Sequence, residues 1–367
     1  MLKKAYGKTG KLISAVAFGG MRFAAPDDID ANAAVVLHAY RKGINYFDTA
    51  PGYCQDKSEI IMGAALRQMT PGTFYSSTKC MAADGGELRK SLERSLERLG
   101  VEKIDFFHIW CIVRPEQWAQ RKSGGAVAAA LKAREEGLIG HLAVSSHMTG
   151  DQIAGLLAEG IVEGVTLGYS AINFPFRQRA LDAAAAAGLG VVTMNPLGGG
   201  VIPQHAGRFD FIRADDDGDV VAAAIRFNVS QPAVTAALVG FTTTGHVDQA
   251  VAAVADFKPY DAAHIESMKR HITANFSGLC TGCGYCLPCP SGLEIPKLMD
   301  AYNMKVLSGD DKAILGRMRY HWQVPPDTAA TCTGCGACEA ACTQQLPIIE
   351  RMEDIAAVAA RAAQEKA

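Results

Sequence analysis

The chain has 367 residues, 49% hydrophobic and 20% charged, which suits a globular protein of one or two domains with a large core. Its 36 basic and 38 acidic residues leave a net charge of -2, which excludes the basic field of a nucleic-acid binder and the acidic tail of a solvating arm. The lysines of MLKKAYGKTG lead into no apolar run, and no stretch reaches the ~18 apolar residues of a membrane span, so the expectation is a cytoplasmic protein.

From residue 13 to about 240, apolar strand-like runs alternate with helical stretches. The runs are ISAVAFGG (13–20), INYFDTA (44–50), TFYSSTK (73–79), IDFFHIW (104–110), HLAVSSH (141–147), GVTLGYS (164–170), GVVTMNP (190–196) and TAALVG (235–240). Each leads to an alanine- or leucine-rich segment such as GGELRKSLERSLERLG or HVDQAVAAVADF. Near-continuous apolar strands are those of a parallel sheet buried on both faces. Eight such units predict an α/β fold of the (β/α)8 TIM-barrel type over residues 1–258. A doubly wound open sheet is the rival, but FGGMR is a poor match to the glycine-rich turn that usually follows its first strand.

A barrel of this kind carries its active site where strands end and βα loops begin. Asp48, Lys79 and His108 stand at the ends of the second, third and fourth strands, and Tyr53 lies in the loop after the second. Carbonyl reduction needs a proton for the oxygen as hydride reaches the carbon. A free tyrosine, with a pKa of ~10, is a weak acid-base group at neutral pH. A neighbouring Lys79 ammonium is expected to lower that value, Asp48 to hold the lysine charged, and His108 to orient the carbonyl. Taken singly, each residue has a plainer role: a helix cap, a core histidine, a solvated lysine, a loop aromatic. Four of them at neighbouring strand ends favour the catalytic role.

FDTAPGY, SSTK, DFFH and MNPLGGG resemble the aldo-keto reductase family over roughly residues 1–255. The resemblance implies an NADP(H)- or NAD(H)-binding barrel with a small carbonyl or alcohol substrate and a catalytic tetrad on Asp48, Tyr53, Lys79 and His108. YGKTGKLIS is similar to the family's hairpin at the barrel bottom. On the cofactor side, Ser145 matches the serine that holds the nicotinamide amide, with His147 where most members have Asn and Thr166 in place of a Gln. Met194 and Asn195 stand where many members stack the ring on a Tyr, and Gly20, Met21 and Leu197 fall along the cofactor path. After the eighth strand, GFTTTGHVDQA puts Gly240 and His246 where the family commonly grips the 2′-phosphate with Lys and Arg. Thr242, Thr243 and Thr244 open the next helix and either bind phosphate or cap that helix. In the long loop CIVRPEQWAQRKSGG and just before it, Trp110, Arg114 and Trp118 are wall candidates.

Eight of the 11 cysteines lie in two C-terminal runs. The first is C-x2-C-x2-C-x2-C-P, on Cys280, Cys283, Cys286 and Cys289; the second is C-x2-C-x2-C-x3-C, on Cys332, Cys335, Cys338 and Cys342. Successive x2 gaps with a remote fourth cysteine suit cubane clusters, and in two-cluster ferredoxins the fourth cysteine of each run serves the other cluster. One 4Fe–4S cluster is therefore assigned to Cys280, Cys283, Cys286 and Cys342, and the other to Cys332, Cys335, Cys338 and Cys289. Zinc sites and disulfides are the alternatives. The runs resemble the C-terminal ferredoxin-like domain of one branch of the family, which implies a small α-helical two-cluster domain over 265–350 and a C-terminal helix or tail over 351–367. The whole reads as an oxidoreductase that interconverts a carbonyl and an alcohol, wired through two clusters to a ferredoxin- or flavodoxin-like electron-transfer partner. The alternative is an electron-transfer or redox-sensing iron–sulfur protein with an idle barrel.

Overall fold

The computed structural model describes residues 1–112, 114–171, 174–275, 280, 286–342 and 346–365. Two short strands, β1 (Lys3–Ala5) and β2 (Leu12–Ser14), pair antiparallel ahead of the barrel. Eight parallel strands then close on themselves: β3 (Val16–Gly19), β4 (Tyr46–Asp48), β5 (Tyr75–Cys80), β6 (Ile104–Ile112), β7 (Ile139–Ser146), β8 (Gly164–Gly168), β9 (Gly190–Met194) and β10 (Ala236–Gly240). Closure is made by β10, which pairs with both β3 and β9. The strands are buried along most of their length, which is why their sequences are apolar rather than alternating.

One helix between them shows how a single apolar stripe is built. In the helix Gly85–Leu99, Leu88, Leu92, Ser95 and Leu99 are buried at helical spacing. Asp84 caps its start by accepting from the Glu87 N–H, and left-handed Gly100 ends it. The barrel floor is filled from the hairpin. Tyr6 is fully buried and packs on Phe106 with ring centroids 4.4 Å apart. A Cβ at Gly164 or Gly190 would come within 1.9 Å or 2.2 Å of the Tyr6 side chain, so both positions must lack one. β6 runs two residues past its expected end, through a bulge between Ile109 and Ile112, with Cys111 at φ 60°.

The described residues form two compact units, the first built from the barrel up to Tyr260 and the second mostly from Asp261 onward. Among the described residues the second unit contains helices and turns but no strand. Its core includes Leu298, Met299, Ile314, Met318, Met352 and Ile355, the last two from the helix Ile348–Gln364. Cys280, Cys286, Cys289, Cys332 and Cys342 pack against that core. Among the described residues no helix is long and apolar enough to cross a membrane.

Candidate active site and cluster-binding residues

Strand register sets the polar residues side by side at the barrel mouth. Asp48 pairs with Ser77, Lys79 with His108, and Ser145 with Thr166. Lys79 and Asp48 form an ion pair with each side chain only 3% exposed. Lys79 Nζ also donates to the Thr49 carbonyl at 2.7 Å. Ser77 Oγ donates to Asp48 Oδ1 at 2.7 Å and accepts from the Tyr46 hydroxyl at 3.1 Å. A buried pair is tolerated only when its remaining polar atoms are satisfied, and these contacts do that.

Tyr53 reaches this pair from a tight loop. Lys79 Nζ stands 5.4 Å from the centre of its ring. Trp110 meets the same ring edge-on, with centroids 5.4 Å apart. Three consecutive residues after Tyr53, Cys54, Gln55 and Asp56, take left-handed φ values of 52°, 57° and 65°. Such residues cost on the order of 1 kcal/mol or more each and persist only when their surroundings hold them. Here Arg98 supplies the hold. It grips both Asp56 oxygens at 2.8 Å and reaches buried Glu59 at 3.4 Å, while Asp56 also accepts from the Gly52 N–H at 2.9 Å. The Arg98 hydrogen bonds, followed by that N–H, push the Asp56 carboxyl down to about 2.

The charge states differ from the sequence-based expectation in one respect. Lys79 was expected to pull the Tyr53 phenol down, but burial pushes it well up, and the Asp48 charge adds to the rise. Tyr53 as a whole is half-buried. Burial also lowers Lys79, opposed by Asp48. His108 is fully buried, and burial followed by the Lys79 charge pushes it down to about 4. Tyr53 and His108 are therefore both neutral at neutral pH. His108 Nε2 lies 3.0 Å from Thr166 Oγ1, and Nδ1 lies 3.4 Å from the Thr78 carbonyl oxygen.

The positions expected along a cofactor path are spread around the same mouth. Ser145 is buried, and Thr166 is engaged by His108. Gly20 is buried, with its N–H on the Asp48 carbonyl at 2.8 Å, and Met21 is exposed. Met194, Asn195 and Leu197 are half-buried, and Asn195 is left-handed at φ 57°. The His147 carbonyl accepts from Arg177 Nη2 at 3.2 Å. Thr243 caps the helix Thr244–Ala252 by accepting from the N–H of exposed His246 at 3.3 Å. Thr242 Oγ1 donates to the Arg22 carbonyl at 3.3 Å.

Arg22 is a residue the sequence reading missed. Its side chain lies across Gly240, where a Cβ would come within 2.6 Å of Arg22 Cγ. Gly240, read in the sequence as a lost cation, is the space that admits a cation from the opposite side of the barrel seam. Motif spacing carries no signal for this, because the two residues are far apart in the chain and meet only through the β3–β10 pairing. Arg121, also passed over, has a buried Nε with no hydrogen-bond partner among the described residues. Burial weakens its charge, and the Cys80 and Cys111 thiols act against that.

In the second unit, Cys286 and Cys289 from the first run and Cys332, Cys335 and Cys338 from the second line one cavity, so Cys286, which the sequence reading gave to the other cluster, stands with this set. Cys280 and Cys342, one from each run, pack against the adjoining core. Cys283 lies outside the described residues. Among the described residues no two cysteines form a disulfide. Among the described residues no three ligand side chains converge closely enough for a single metal ion. The cysteines ring a hollow instead, and near Cys280 and Cys342 a buried guanidinium nitrogen of Arg351 has no partner among the described residues. Donors around a cavity, with a spare buried cation, fit a polynuclear anionic cluster.

Comparison with known proteins agrees with this architecture. Residues 15–272 match the model of the aldo/keto reductase family, and residues 279–349 match that of a 4Fe-4S dicluster domain. L-galactose dehydrogenase of Arabidopsis thaliana is 26% identical over 286 residues, covering 70% of this chain and 88% of that protein. NADH-specific methylglyoxal reductase of Escherichia coli (strain K12) is 26% identical over 198 residues, covering 48% of this chain and 60% of that protein. Among solved structures, aldo-keto reductase AKR11C1 from Bacillus halodurans, in its holo form, superposes with a TM-score of 0.65 at 19% identity, covering 74% of this chain and 96% of that one. That likeness concerns the fold. Two matched regions, a closed eight-stranded barrel and a helical cysteine-lined unit identify the chain as a member of the aldo/keto reductase family, an oxidoreductase with a C-terminal 4Fe-4S dicluster domain.

Proposed function

We propose that the barrel interconverts a small carbonyl compound and its alcohol with a bound nicotinamide cofactor, and that two 4Fe–4S clusters exchange electrons with a redox partner. The observation that carries the first part is the buried Lys79–Asp48 pair facing the Tyr53 ring, with neutral His108 beside it. The cofactor, when bound, supplies or accepts the hydride. Tyr53 holds the proton that completes reduction at the carbonyl oxygen, and its raised pKa keeps that proton in place until oxygen basicity develops. Lys79 keeps positive charge beside the developing phenolate, and Asp48 keeps Lys79 charged and fixed. A neutral His108 orients the oxygen without adding charge. Ser145 is suited to hold the nicotinamide amide, and Arg22 with the Thr243-capped helix start to hold the adenosine phosphate.

The relatives support oxidoreduction of this kind, being named as a dehydrogenase and an NADH-specific reductase, and they differ in substrate. A hydride carries two electrons while a cluster carries one, so an external one-electron carrier is the partner class the second unit suits. The test is Tyr53→Phe, assayed for turnover and for NADPH and NADH binding under anaerobic conditions. Turnover should fall roughly 10²–10⁴-fold with nucleotide binding retained. Unchanged turnover would end the catalytic assignment of Tyr53.

A further inference from the structure

Arg351 lies in the helix Ile348–Gln364 and is only 7% exposed. Its guanidinium carbon sits 4.8 Å from the centre of the Tyr302 ring. Nη1 is buried and has no hydrogen-bond partner among the described residues. A buried cation with an unsatisfied donor is unfavourable unless an anion compensates it. Asp354, three residues on in the same helix, is already engaged: it accepts from the Tyr302 hydroxyl at 3.0 Å and from Lys305.

Two cysteines are among the groups that act on Arg351. Burial weakens its charge, and Tyr302, Cys280 and Cys342 act in the opposite direction, with Glu350 after them. Asn303, next to Tyr302, fixes Cys280 by two backbone hydrogen bonds: it accepts from the Cys280 N–H at 2.8 Å and donates to its carbonyl at 2.9 Å. Cys342 Sγ accepts from the Leu346 N–H at 3.4 Å. The cation thus stacks on Tyr302, whose chain neighbour Asn303 holds Cys280, and both Cys280 and Cys342 lie close enough to act on its charge. By contrast, the described residues lining the cavity of Cys289, Cys332, Cys335 and Cys338 include no charged side chain.

A cubane held by thiolates is an anion, and each one-electron reduction adds negative charge. Net charge and hydrogen bonds to sulfur are the levers by which a protein sets its potential. We propose that Arg351 is the charge partner of the cluster on Cys280 and Cys342, donating to its sulfur and holding its reduction potential up. The inference rests on the reading that the unit holds two clusters.

The test is anaerobic redox titration of the full chain, followed by EPR and visible absorbance, for the parent, Arg351→Met, Arg351→Gln and Arg351→Lys. Iron analysis of the parent comes first: about eight iron atoms per chain secure the two-cluster reading, and an iron-free parent sinks that reading and this inference with it. In the Met and Gln variants, the reduced-to-oxidised ratio of one cluster at a fixed potential should fall about tenfold, which is 59 mV for one electron. The second cluster should move much less, and Lys should stay near the parent. Loss of one cluster in both neutral variants but not in Lys also supports the assignment. Unmoved midpoints, equal movement of both clusters, or a Lys variant that behaves like Met would overturn it.

Discussion

Replacing Lys79 by Met separates the stability and the chemistry of the buried pair. Asp48 would keep only the Ser77 hydroxyl, at 2.7 Å, with its carboxylate 3% exposed. Breaking a buried pair from one side costs roughly 3–5 kcal/mol, because the survivor is left charged and unpaired. That is about two to three and a half powers of ten in the unfolding constant of the barrel. The double variant Asp48→Asn, Lys79→Met removes both charges and should recover most of that loss. Turnover should not recover, since the cation beside Tyr53 is gone in both. The assay pairs urea unfolding, followed by barrel fluorescence, with single-turnover reduction. The reasoning is refuted if the double variant is as unstable as Lys79→Met, or if it regains parental turnover.

Two further outcomes follow from the site. His108 ordinarily titrates near 6.5 and is held at about 4 when folded, so between those values the unfolded chain binds the extra proton. This contribution, about 3 kcal/mol at most, is complete above about pH 6.5 and lost as the pH falls to about 4. Urea unfolding across that window should show the slope, His108→Gln should flatten it, and equal slopes in both proteins would count against the buried neutral imidazole. Arg22→Ala should weaken NADPH binding about tenfold and leave NADH binding nearly unchanged, as measured by calorimetry; equal effects on the two nucleotides would remove Arg22 from the phosphate.

The barrel was legible in the sequence because its physics is local and repeated. Eight apolar runs, each followed by an amphipathic segment, leave few folds that bury them all. Asp48, Lys79 and His108 were legible because a strand end is a fixed address in such a barrel, and register alone brings them together. Arg22 over Gly240 was not, because that contact crosses the barrel seam and is marked only by a missing side chain. Arg351 was not, because within IERMEDIAAVAARAAQ it reads as one more charge on an amphipathic helix. Its burial and its empty donor appear only when that helix packs beside Cys280 and Cys342.

The direction of the Tyr53 shift was misread for a related reason. A pairwise argument sees a lysine beside a phenol and lowers the pKa. It omits the cost of placing a phenolate among Trp110, Cys54 and Cys111, close to the Asp48 charge. In the resting site that cost outweighs the Lys79 ammonium, whose charge also serves Asp48 and the Thr49 carbonyl. On the proposed function, Tyr53 is then protonated at neutral pH and enters reduction with its proton in place, and the reverse reaction, in which Tyr53 must first lose that proton, is the one that gains most from rising pH.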